Sequence, residues 1–204
     1  PESYYRFMFD QLFDHIDIPD SQIHIPDGTV PMEAVYDHCL DYERRIVEAG
    51  GLDLQILGIG RTGHIGFNEP GSSSDSVTRM ITLDRVTRQD AAADFMGVAN
   101  VPRSAITMGV GTILEARCLV LMAWGGNKAG IVREAVEGRV TDQVSASFLQ
   151  NHANATFLID GAAASGLTRF RHPWLVGPVE WDAPMKKRAV VWLWSGESWA
   201  VTDA

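Results

Sequence analysis

The chain predicts an α/β fold of Rossmann-like layering, a mainly parallel open sheet with helices on both faces. Three observations point there. Apolar-rich runs at 52–57, 118–123 and 155–159 have the length and aliphatic content of strands buried in a parallel sheet. Stretches with helical periodicity or helix caps separate them, the alternation of a βαβ arrangement. The first run ends in Gly58 and the second, one residue on, in Gly125-Gly126, the sharp turns found where strands of such sheets meet a ligand crevice. With 204 residues, 46% of them hydrophobic and 21% charged, the chain can bury one ordinary core.

Each element has its own justification. Tyr4, Phe7, Met8, Leu12, Phe13 and Ile16 recur at three- and four-residue steps and predict an amphipathic helix whose aromatics pack. Residues 18–31 hold Pro19, Asp20, Pro26, Asp27, Gly28 and Pro31 and read as a loop. A second helix is predicted over 31–49, with Val35, Cys39, Tyr42 and Ile46 on one stripe and Gly50-Gly51 as its stop. The strand at 52–57 feeds a glycine-rich loop, 58–70. The small polar stretch 72–76 leads to a strand at 79–83, and Asp84 caps a helix running to about Met96. Past Pro102, residues 104–108 are extended and Gly109 turns into a short helix. The strand at 118–123 is followed by a helix over 128–136, a short helix over 144–149 and the strand at 155–159. Asp160-Gly-Ala-Ala-Ala opens a further helix with close-packing small residues. From Arg169 the pattern weakens, Pro173, Pro178 and Pro184 divide it, and 186–193 is the last predicted helix.

A formal net charge of −9 argues against nucleic acid as a partner, because neutralising phosphates needs a basic patch. No apolar run approaches the ~20 residues of a membrane span, so no membrane partner is expected. Cys39 and Cys118 read as free thiols of a reducing, cytoplasmic compartment. His24 and His38 have no second ligand at metal-binding spacing and read as solvated, and no metal or cofactor is expected.

The chemistry is concentrated in Gly58-Ile-Gly-Arg-Thr-Gly-His64-Ile-Gly-Phe-Asn68-Glu69-Pro70. Gly58 and Gly60 let the main chain pass close to a bound group. His64 and Glu69 are the candidate catalytic pair, since a histidine beside a carboxylate can hold one tautomer and move a proton at an oxygen. In Trp124-Gly-Gly-Asn-Lys128 a strand feeds two glycines and then a lysine in the first turn of a helix. Backbone N–H groups, the helix dipole and an ammonium converge there, which suits a phosphate. Each feature also has a plainer reading, a hydrogen-bonded structural histidine and an exposed helix lysine, and the residues taken singly do not choose between them.

Gly63-His-Ile-Gly-Phe-Asn-Glu-Pro70 is similar to the signature of the glucosamine-6-phosphate deaminase (isomerase) family. Pro1-Glu-Ser-Tyr-Tyr5, Asn100-Val-Pro102, Ala105-Ile-Thr-Met-Gly-Val-Gly-Thr112, Asn127-Lys128 and Ala135-Val-Glu-Gly138 continue the likeness in order. The resemblance implies conversion of glucosamine 6-phosphate to fructose 6-phosphate and ammonia, an aldose–ketose isomerisation with deamination. In that scheme His64, held by Glu69, serves ring opening, and Lys128 anchors the sugar phosphate.

The sequence also departs from the family pattern. The family's carbon-2 base and phosphate loop fall before the position of Pro1, which gives the expectation of an amino-terminally truncated chain that is catalytically incomplete by itself. Thr62 stands where many members carry aspartate, reducing the expected triad to His64 with Glu69, and Ala93 replaces a phosphate-binding arginine. Ser72, Arg79 and Thr82 match a regulatory region of allosteric members, but Ile81 stands in place of its lysine, so weak or absent activation is expected. Residues 167–193 are similar to a longer bacterial form with a second, deacetylase-like domain. The expected division is therefore 1–168 as a partial deaminase domain and 169–204 as an extension. A 6-phosphogluconolactonase-like hydrolase and a non-catalytic sugar-phosphate-binding module are the alternatives, and a homo-oligomer is compatible with each.

Overall fold

A computed structural model describes residues 3–195. The resemblance at Pro1 and Glu2 therefore lies outside the described residues. The three apolar runs form one parallel sheet from β1 (Gln55–Gly58), β4 (Leu119–Ala123) and β5 (Ala155–Ile159), in the order β1-β4-β5. Leu57 lies opposite Leu121, and Leu121 opposite Phe157. Strand alternation sends these three, with Ile59, Leu119, Ala123 and Ile159, to one face. They close a core with Ile113 of α4 (Val110–Leu114), Val132 and Ala135 of α5 (Ala129–Glu137), and Ala146 and Leu149. On the opposite face Ile56 and Leu158 are 60% and 52% exposed. The parallel α/β class stands, and among the described residues the core forms on one face of the sheet.

The extended segments β2 (Arg79–Thr82) and β3 (Ser104–Thr107) do not join this sheet. They pair antiparallel in a separate ribbon, Arg79 opposite Thr107. Helix α2 (Val35–Glu48) is tied to the ribbon's start and to α4 by Glu43, whose carboxylate accepts from Thr78 N–H at 2.6 Å and Thr112 Oγ1 at 2.8 Å.

Several expected boundaries shift for local reasons. Helix α1 (Tyr4–Gln11) stops short of Ile16 and buries none of its residues. Its aromatics stack on one another, Tyr5 on Phe9 at 4.6 Å and Phe9 against Phe13 at 5.4 Å. Helix α3 (Arg85–Asp90) ends before Met96 because the chain folds back, Arg88 donating to the carbonyls of Val98 and Val101. The stretch expected as a helix at 144–149 is a 3₁₀ segment, Ser145–Asn151. After Asp160 come a 3₁₀ turn, Ala163–Gly166, and the single turn of α6 (Thr168–Arg171). The last helix, α7 (Ala183–Trp194), starts earlier than expected, since Asp182 caps it by accepting from Met185 N–H at 2.7 Å.

His38, expected to be solvated, accepts from Asp27 N–H at 2.9 Å and pins the loop before α2. Among the described residues no helix is long and apolar enough to cross a membrane, and both cysteines are free thiols.

Candidate functional site

The loop leaving β1 is held from two sides. On one side, Gly63 adopts φ +80°, and a Cβ on it would lie 2.5 Å from Val144 Cγ1. This allows its carbonyl to accept from Ala146 N–H at 2.9 Å. The Ser145 hydroxyl accepts from Ile65 N–H at 3.2 Å and donates to Asn68 O at 2.9 Å. On the other side, Thr107 Oγ1 accepts from Phe67 N–H at 3.0 Å. Asn68, fully buried, donates to the carbonyls of Ile65 and Met108 and accepts from Arg79, all at 2.9 Å. Buried amides require such partners, and here the partners fix the loop's path.

That path brings three side chains together. His64 Nδ1 is 2.9 Å from Thr62 Oγ1 and 3.3 Å from Glu69 Oε2. The His64 and Glu69 side chains are 13% and 12% exposed. Glu69 Oε1 accepts from Asp84 N–H, at the cap of α3, at 3.1 Å. Glu69 Oε2 is buried with no hydrogen bond of normal geometry, and the imidazole approaches it at 3.3 Å. The expected pairing of His64 with Glu69 is present. The Thr62 hydroxyl, which stands where a charged residue was expected, lies nearer Nδ1 than the carboxylate does.

The glycines divide. A Cβ on Gly60 would stand 2.1 Å from His64 Nε2 and 2.2 Å from its Cε1, so the space beside Gly60 is filled by the ring itself. Gly58 would meet nothing within 4 Å, and packing does not demand glycine there. Lys128 forms the N-cap of α5 rather than lying inside its first turn, and Nζ donates to Ile59 O at 2.7 Å. The ammonium thus lies at the carboxyl end of β1.

Burial holds the His64 imidazole below its ordinary value of 6.5. The charge of Glu69 opposes this, that of Lys128 adds to it, and that of Asp90 opposes it. Asp90 is paired with Arg61 at 2.6 Å. A neutral imidazole beside a carboxylate, with a cation close by, can take a proton from a hydroxyl and return it to another oxygen.

Of the candidate regulatory residues, two are adjacent. The Arg79 guanidinium donates to Ser72 Oγ at 3.0 Å while also holding Asn68. Thr82 is exposed on the opposite face of the ribbon from Arg79. Among the described residues no group of three or more His, Cys, Asp or Glu could hold a metal ion. Asn68, Thr107 and Ser145 were not anticipated. Asn68 lies within the glycine-loop motif, whereas nothing in the sequence ties Ser145 to a loop some eighty positions away.

Comparison with known proteins follows the same direction. A family profile for glucosamine-6-phosphate isomerases and 6-phosphogluconolactonase matches residues 1–158. A glucosamine-6-phosphate deaminase of Shewanella woodyi is 50% identical over 170 residues, covering 82% of this chain and 63% of that one. A putative glucosamine-6-phosphate deaminase-like protein of Bacteroides thetaiotaomicron is 46% identical over 191 residues, 94% of this chain but 29% of its own length. This chain thus spans less than two thirds of either relative. A solved structure described as a monomeric glucosamine-6-phosphate deaminase is similar with a TM-score of 0.77 at 44% identity, covering 81% of this chain and 68% of that one. A 6-phosphogluconolactonase from Trypanosoma brucei, 20% identical with a TM-score of 0.52, covers 72% and 59% and shares the fold.

Proposed function

This chain belongs to the family of glucosamine-6-phosphate isomerases and 6-phosphogluconolactonase, and from that premise we propose that it carries the ring-opening site of a glucosamine-6-phosphate deaminase. The proposed reaction yields fructose 6-phosphate and ammonia. The observation that carries the reading is the buried His64–Glu69 pair, 3.3 Å apart, in a loop at the carboxyl end of a parallel strand.

The cyclic amino sugar opens when a proton leaves the anomeric hydroxyl, the bond between C1 and the ring oxygen breaks, and a proton reaches that oxygen. One imidazole can do both transfers, taking the first proton and delivering the second. Glu69 stabilises the imidazolium between the two steps. Moving hydrogen from C2 to C1 then gives an imine that water hydrolyses with release of ammonia, a step that needs a second base besides His64. Lys128, held against Ile59 O, is the proposed phosphate anchor. The free thiols of Cys39 and Cys118 favour a reducing, cytoplasmic setting.

The test is to give the full-length protein glucosamine 6-phosphate and follow ammonia and fructose 6-phosphate. Both are expected, and His64→Ala should lower turnover by ~10²–10⁴-fold. Acid release from 6-phosphogluconolactone in place of ammonia, or binding without turnover, would overturn the proposal. For the effector region, the engagement of Arg79 by Asn68 and Ser72 supports a structural duty. Little activation by an amino-sugar phosphate is therefore expected in rate assays, and clear sigmoidal activation would count against this.

A further inference from the structure

We propose that the cavity between α6 and α7 is a binding site for a phosphomonoester carried on a ring, a sugar phosphate or a nucleoside monophosphate. Arg171, His172, Trp174, Lys187, Arg188 and Trp192 line a space of about 390 Å³, a size usual for small-molecule sites. The chain as a whole carries a net charge of −9. Here, among the described residues, three permanent cations and no carboxylate face one cavity. Neither the His64 loop nor Lys128 contributes to it, so the inference stands apart from the deaminase reading.

The walls are fixed before any ligand arrives. Arg188 and Trp192, four positions apart, share a face of α7. His172, just past the end of α6, wedges between the two indoles, 5.5 Å from Trp174 and 5.4 Å from Trp192, and the indoles themselves lie 6.0 Å apart. Arg188 locks the helices together, its Nη2 donating to Phe170 O at 2.8 Å and Arg171 O at 2.7 Å. Its guanidinium carbon stands 5.9 Å from the centre of the Trp174 ring. Its Nε and Nη1 hydrogens, and the side chains of Arg171 and Lys187, have no protein acceptor or ion-pair partner among the described residues. A site built in advance loses less on binding.

The charge and the rings together select the ligand. One carboxylate would leave most of the positive charge unmatched, whereas a phosphomonoester brings about −1.5 to −2 charges and three acceptor oxygens near neutral pH. Arginine recognises such oxygens in pairs and lysine as a point charge. Two indoles on the same cavity give the ring of the ester an apolar surface to rest on, which a bare phosphate would not use.

The test is fluorine spectroscopy of the full-length protein labelled with 5-fluorotryptophan and titrated separately with glucose 6-phosphate and adenosine monophosphate. Saturable shifts of the Trp174 and Trp192 signals are expected, the tighter ester identifying the source. Inorganic phosphate, glucose and adenosine should each bind ~10-fold more weakly or worse. Arg171→Gln and Lys187→Gln, both at exposed positions, should each weaken binding by ~10-fold or more and leave any response of Trp124, beside Gly125, as it was. No saturable shift with either ester would overturn the proposal. So would inorganic phosphate binding as tightly as the esters, or unchanged affinity in both variants. If the variants do not fold, the salt dependence of the parent decides: affinity must fall as ionic strength rises, and indifference to salt would exclude a site built on these cations.

Discussion

His64 is positioned by what is missing from Gly60 as much as by what surrounds it. Gly60 N–H donates to His64 O and Gly60 O accepts from Gly63 N–H, both at 3.0 Å, and this tight turn lays the ring of residue 64 over residue 60. A methyl group on Gly60 would sit inside the imidazole. Gly60→Ala is therefore expected to cost ~10²-fold or more in kcat/KM through ring displacement, with an unchanged far-ultraviolet spectrum. An unimpaired variant would show that the ring can work from another position. The lowered titration of His64 has a stability consequence too. Just below pH 6.5 the unfolded histidine takes up protons while the folded one does not, so stability rises with pH through this window and falls as pH drops toward the folded value. Urea midpoints measured across this range should depend less steeply on pH in His64→Asn. The pair His64 and Glu69 was legible because both lie in one short motif with obvious chemistry. The reason for Gly60 was not, because sequence suggests backbone approach to a ligand whereas the fold brings a neighbouring ring into the same space.

The loop as an element depends on groups far along the chain. Asn68 makes three side-chain hydrogen bonds inside the protein. Removing them by Asn68→Ala should cost about 2–4 kcal/mol, read as a shift in the urea midpoint with little change in slope. A change below about 0.5 kcal/mol would mean that the neighbouring carbonyls and Arg79 re-pair freely. The strands of the ribbon were legible as extended segments, but their antiparallel pairing away from the main sheet was not. Local pattern says nothing about partners. Likewise Ala91-Ala-Ala-Asp has helix-forming residues, yet Arg88 draws the chain back over α3 and tertiary contacts override propensity.

At the scale of the whole molecule, the alternation of apolar runs with helices sufficed to give the parallel class, since each run became a strand in one sheet. A second aromatic cluster lies beyond the boundary proposed near residue 168, and whether it is a separate unit is a matter for hydrogen exchange. Trp174 packs with His172, Trp181 and Trp192 at centroid distances of 5.5–6.2 Å, and Arg188 donates to the carbonyls of Phe170 and Arg171. This unit is tied back to α5 through Glu137, which accepts from Thr168 N–H at 2.7 Å and Thr168 Oγ1 at 2.9 Å. Glu137→Ala should speed amide hydrogen exchange across 168–194 while leaving β4 as slow as before. Equal acceleration in both would make the chain one cooperative unit with no boundary there. The clamped loop, finally, limits where motion can occur. Strapped to the 145 segment on one flank and to the ribbon on the other, it cannot swing aside as a gate, so the imidazole is a stationary post. On the proposed function, entry and exit of the sugar would fall to other walls, such as α1, which touches the loop through Tyr4 on Phe67 and buries none of its own residues.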